Sequence, residues 1–63
     1  MKVKILNRLT RQYNEMDLDV TEEQLARHAG GELVQNVFPH LSAEEREFLI
    51  TGMTPAEQKE IFG

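Results

Sequence analysis

The chain has 63 residues, 40% of them hydrophobic and 29% charged, with a formal net charge of −4 and no cysteine. That length allows one small domain with a limited core, and the composition is that of a globular rather than a disordered chain. The absence of cysteine excludes a disulfide framework and multi-cysteine zinc sites, and it suits a reducing cytoplasm. No apolar run approaches the roughly 20 residues of a membrane span, and no signal-peptide apolar region opens the chain, so a soluble cytoplasmic protein is expected.

The charge is unevenly placed. Lys2, Lys4, Arg8 and Arg11 fall in the first eleven residues with no acid among them, whereas the remainder holds three bases against eleven acids. In the same region Val3, Ile5 and Leu9 alternate with Lys2, Lys4 and Arg8, and Met16, Leu18 and Val20 alternate with Glu15, Asp17 and Asp19. Period-two alternation marks half-buried strands. Reversal around Arg11 and Gln12 would pair Val3 with Val20, Ile5 with Leu18 and Asn7 with Met16, and on the other face Lys4 with Asp19 and Arg8 with Glu15. The loop is either two residues long or spans residues 10–13, because Arg-Gln lacks the turn chemistry of a tight hairpin. Ile5, Leu9, Tyr13 and Met16 also recur at helical spacing, so a helix over residues 4–14, in an all-α fold, is the competing reading.

Three helix starts follow. Thr21-Glu22-Glu23-Gln24, Ser42-Ala43-Glu44-Glu45 and Thr54-Pro55-Ala56-Glu57 each have the form of a capping box, in which a hydroxyl and a later side chain satisfy free backbone N–H groups reciprocally. The first helix is expected over residues 22–29, stopped by Gly30-Gly31. A short one over residues 32–38 presents Leu33, Val34, Val37 and Phe38 and closes at Pro39. The third occupies residues 42–51, ends at Gly52, and gives way to a fourth that opens at Pro55 and runs to Phe62 and Gly63.

The expected fold is therefore α+β: one domain over residues 1–63, a β-hairpin over about residues 1–20 and three or four short helices over residues 21–63. Its expected core is Val3, Ile5, Met16, Leu18, Leu25, Leu33, Val37, Phe38, Leu41, Phe48, Leu49, Met53, Ile61 and Phe62. So complete a use of the large apolar residues leaves little for a ligand pocket and argues against an enzyme.

The chemistry-bearing residues point the same way. His28 and His40 lack metal-ligand spacing and suit a helix end and a helix connection. Thr21, Ser42 and Thr54 are engaged as caps, and Gly30-Gly31 lacks the strand and lysine of a phosphate loop. No catalytic, metal or cofactor site is expected. Two surfaces remain: apolar residues the core leaves out, Leu6, Val34 and Ile50, as a protein-contact surface, and Lys2, Lys4, Arg8 and Arg11, with Tyr13 to stack, as phosphate contacts. The outer hairpin edge could also accept a partner strand, and self-association would stabilise so small a domain.

The run VQNVFPHLSAEEREFLITGMTPAEQKEIFG resembles, from Val34 to Phe62 or about half the chain, the end of a group of small bacteriophage-encoded proteins. In these a short helix ending in F-P-H-L-S is followed by E-R-E-F-L, a glycine turn and T-P-x-E. The group carries no established activity or functional residues, so the resemblance assigns no role to any position. It implies a phage product acting in the bacterial cytoplasm or in virion assembly. The combined expectation is a non-enzymatic protein that binds a host factor or a copy of itself, with nucleic-acid binding through the basic first strand as the alternative.

Overall fold

A computed structural model describes residues 1–62, Phe62 through its backbone alone; the core position expected for Phe62 and the helix end expected at Gly63 lie outside it. Strands β1 (Lys2–Asn7) and β2 (Gln12–Asp17) form an antiparallel hairpin, followed by α1 (Glu22–Ala29), α2 (Val34–Val37), α3 (Ala43–Thr51) and α4 (Pro55–Phe62). The hairpin reading holds over the helical one.

The register differs from the expected one. Val3 pairs with Met16, Lys4 with Glu15, Ile5 with Asn14, Leu6 with Tyr13 and Asn7 with Gln12. This is a slip of four residues, an even number, so each side chain keeps its expected face while every partner changes. The cause is Asn7. Its Oδ1 accepts from Leu9 N at 2.9 Å and from Thr10 N at 3.4 Å, and its backbone carbonyl accepts from Arg11 N at 2.7 Å. An asparagine that holds the following backbone in this way initiates a turn, so the loop is residues 8–11 and not 10–13. Arg11 closes it with φ of 60°. The expected pairs Lys4–Asp19 and Arg8–Glu15 are accordingly not formed: Lys4 lies opposite Glu15, Lys2 opposite Asp17, and Arg8 in the loop. Leu18 and Val20 leave the ladder yet remain buried, Leu18 through reciprocal bonds with the Met1 backbone.

The capping boxes of Thr21 with Gln24 and Ser42 with Glu45 are complete. At the third, Glu57 N donates to Thr54 Oγ1 at 3.3 Å and Thr54 N to Glu57 Oε1 at 3.1 Å. Each box fixes a helix start from residues three apart, which is why α1 and α4 begin where their sequences predict.

The core is Val3, Leu18, Val20, Val37, Phe38, Leu41, Phe48, Leu49 and Met53, with Ile5, Met16, Leu25 and Val34 packed partly against its edge. Phe38 and Phe48 are fully enclosed. Truncating either to alanine would cost about 3–5 kcal/mol, on the order of the whole stability of a chain this short at roughly 0.05–0.15 kcal/mol per residue. Two expected core members are corrected. Leu33 is 59% exposed because α2 begins one residue after it, and Ile61 is 52% exposed because α4 faces inward through Gln58 instead. Gln58 is buried, its Nε2 donating to Glu44 O at 3.0 Å and Met53 O at 2.9 Å.

Gly52 joins the halves. It ends α3 in the left-handed conformation, φ 77°, with its N–H on Phe48 O at 2.8 Å. A Cβ there would lie 2.4 Å from Leu6 O and 2.9 Å from Asn7 N. Gly31 is also left-handed, φ 106°, but nothing lies within 4 Å of its Cβ position. Gly31→Ala therefore incurs backbone strain alone, on the order of 1–2 kcal/mol, whereas Gly52→Ala adds a backbone collision and is expected to cost clearly more, beyond about 2 kcal/mol. Urea denaturation of the two variants, read at their midpoints, checks that order.

Candidate functional site

The hairpin loop and the carboxyl end of α3 lie side by side because Gly52 brings the α3–α4 corner against β1. Between them is a depression of about 260 Å³ lined by Asn7, Arg8, Leu9, Ile50, Thr51 and Met53. Buried Asn7 and Met53 contribute its inner part; Leu9, 72% exposed, and Ile50, 55% exposed, contribute apolar side chains at its surface. Thr51 is held by its hydroxyl donating to Glu47 O at 2.9 Å while accepting from Met53 N at 3.2 Å, so the α3 end is a defined surface. A second, open depression of about 420 Å³ shares Arg8 with the first and is lined by Leu6, Arg8 and Arg11.

The residues expected as two separate surfaces are thus regrouped. Leu6 and Ile50 from the apolar set and Arg8 and Arg11 from the basic set line the two depressions. Val34 lines neither; it is half-buried against the core. Lys2 and Lys4 stay on β1, opposite Asp17 and Glu15, and Lys4 Nζ stands 5.4 Å from the Tyr13 ring centroid, which engages one face of that ring. Leu9, Thr51 and Met53 were not foreseen as site residues. Alternation placed Leu9 on the core face of a strand; the signal that it belongs to a loop is Asn7 two positions before it.

Asn7 is itself held from below. Its Nδ2 donates to Glu57 Oε2 at 3.1 Å, and Asn14 Nδ2 donates to Glu57 Oε1 and to Gly52 O, both at 2.7 Å. Thr54 adds its backbone N–H and hydroxyl to Oε1. These donors hold the Glu57 carboxyl below the usual glutamate range, the Thr54 N–H foremost; partial desolvation pushes the other way, and the Thr54 hydroxyl, Asn14 and Asn7 reinforce the lowering. One carboxylate from α4 therefore fixes both strands and the capping residue of its own helix.

Elsewhere, both histidines lie beside backbone carbonyls and the Phe38 ring. His28 Nδ1 lies 3.4 Å from Glu32 O and His40 Nε2 2.6 Å from Asp19 O, with the rings 6.0 and 6.5 Å from that of Phe38. Arg27 makes a two-pronged bond with Glu32 at 2.8 and 2.9 Å, which lowers the Glu32 pKa and raises that of Arg27. Among the described residues no group of three histidine, cysteine, aspartate or glutamate side chains is placed to hold a metal. No helix among them is long and apolar enough to cross a membrane.

Because the folded pKa of Glu57 is depressed, its stabilisation is present above the unfolded value and is lost as pH falls through the folded one. Glu57→Gln should lower the unfolding midpoint at neutral pH and flatten the loss of stability below the ordinary glutamate range. Thermal unfolding of both proteins across that acid window measures this; curves that stay parallel would show that Glu57 is not the group responsible. Comparison with protein families, with characterised proteins and with solved structures found no match to this chain.

Proposed function

We propose that this chain is a non-enzymatic protein-binding module, a small bacteriophage product acting in the bacterial cytoplasm, and that the groove between the hairpin loop and α3 is its contact surface. One observation carries the reading: Leu9 and Ile50, two strongly exposed large apolar side chains, converge from different elements on one depression. Scattered exposed apolar residues need no explanation, whereas apolar residues gathered into one patch with a charged margin mark binding surfaces. The depression measures about 260 Å³ and its neighbour about 420 Å³, and both are open to solvent, whereas small-molecule sites enclose most of their ligand. With the hydroxyls of Thr21, Ser42 and Thr54 engaged as caps, this supports contact with a macromolecule over turnover of a metabolite. The partner is a host factor or a second copy of the chain.

A second reading, nucleic-acid binding, draws on Arg8 and Arg11 lining one open depression. It is weakened by Lys2 and Lys4 facing Asp17 and Glu15, and by the net charge of −4. Two phosphate contacts would leave a shallow salt dependence beside the roughly six to ten contacts of a dedicated binder.

Affinity capture from a bacterial lysate with the wild-type chain and with Leu9→Ser/Ile50→Ser separates these readings. Both side chains are exposed, so the fold should survive, with surface changes costing within about 0.5 kcal/mol. Loss of a captured protein by about tenfold or more is expected for the variant, the scale of a central contact residue. Equal capture by both chains would place the contact elsewhere. Retention on heparin at low salt that vanishes in Arg8→Ser/Arg11→Ser would favour nucleic acid, and sedimentation of the two chains reports whether the groove joins copies.

A further inference from the structure

We infer that the groove accepts a short acidic peptide segment in which one large apolar side chain is flanked by aspartate or glutamate. This rests on the protein-binding reading and specifies the chemistry of its partner.

The two depressions differ in what they offer. The first has apolar surface from Leu9, Ile50 and Met53, and its volume of about 260 Å³ suits a single large side chain rather than the face of a folded helix. The second is lined by the two basic residues Arg8 and Arg11 beside Leu6. Arg8 lines both, so an anchor in the first and a carboxylate in the second fall within the reach of one short peptide segment passing the hairpin loop.

Charge selects the ligand. Among the described residues the ion pairs are Met1 N with Asp17 and Arg27 with Glu32. Arg27 is thereby committed, and Lys2 and Lys4 face acids across the hairpin. Arg8 and Arg11, like Lys2, Lys4, Arg46 and Lys59, have no carboxylate within 4.0 Å among those residues; what sets the two arginines apart is that they line one depression and have no acid opposite them in the hairpin ladder. A planar guanidinium matches a carboxylate through two parallel bonds, so the pair is complementary to acidic side chains. A nucleic acid would have to extend beyond these two arginines onto surface of its own sign, and it would leave the Leu9 and Ile50 contact unused. A second copy would have to bring an acidic segment with an exposed apolar residue to the same place, which sedimentation tests.

The experiment is a cell-surface-displayed random-peptide library sorted on the immobilised full chain, with the enriched peptides then titrated by fluorescence anisotropy. The titrations use the wild type, Ile50→Ser, Arg8→Ser/Arg11→Ser and a Leu33→Ser control, whose exposed side chain lines neither depression. The expected enriched sequences carry leucine, isoleucine, methionine or phenylalanine beside aspartate or glutamate. Their affinity should fall about tenfold or more in the Ile50 and the arginine variants, weaken with added salt, and be unchanged in the control. Enrichment without acidic residues, or affinity indifferent to the two arginines, overturns the inference. So does oligothymidylate that competes with the peptides and loses binding in the same arginine variant. A library that yields no binder overturns it as well, while lysate capture that depends on Leu9 and Ile50 would still uphold the protein-binding reading on its own.

Discussion

The approach of Gly52 to the backbone of β1 is the constraint from which the rest of the structure follows. With no Cβ, the end of α3 lies against the Leu6 carbonyl and the Asn7 nitrogen, where any side chain would collide. That closeness brings α4 within reach of the hairpin, so that the Glu57 carboxylate can take one amide from Asn7 and another from Asn14, while Asn14 also holds the Gly52 carbonyl. Segments some forty to fifty residues apart in sequence are thereby joined around one acceptor. The short stretch from Thr51 to Pro55 thus acts as more than a stop and a start between two helices. It is the surface on which the hairpin rests.

A chain of this size has few large side chains to enclose, and without cysteine it has no covalent tie. Its two fully buried phenylalanines supply burial but little orientation, because apolar contact is not directional. Orientation comes from polar groups placed where water is scarce: Asn7 beneath the loop, Gln58 between α3 and α4, and Gln24 reaching Val37 O from α1 at 3.3 Å. Each would cost stability if left unpaired, and paired they specify one arrangement among the several that a small apolar core permits.

This division explains what could be read from the sequence. The helix starts were legible because a capping box is complete within four residues, and most of the core was legible because periodicity records which face is apolar. The strand register was not. Two registers four residues apart satisfy the same alternation, and the choice between them depends on Asn7, whose role is set jointly by Leu9 nearby and Glu57 far away. Ile61 was misplaced for a related reason: the inward position of α4 is taken by Gln58, a polar residue whose partners lie on other segments. Leu6, Ile50, Arg8 and Arg11 could be singled out as candidates one by one, but their grouping depended on the register, which decides that residues 8–11 form the loop.

The groove is accordingly a by-product of the same contacts that stabilise the fold, and this bears on how it should be interpreted. Packing alone requires Asn7 and Met53 to be covered; it does not require Leu9 and Ile50 to stand beside them in water. Leu33 and Ile61 are exposed to a similar extent yet line neither depression, as expected for a small domain that cannot enclose all its apolar residues. What sets Leu9 and Ile50 apart is position: they flank one depression whose inner residues are fixed by hydrogen bonds and whose margin carries arginines without a nearby acid. For the binding proposed above, a surface whose inner residues are already held by hydrogen bonds has less to order when a partner settles on it, and that preorganisation, more than area, would carry its selectivity.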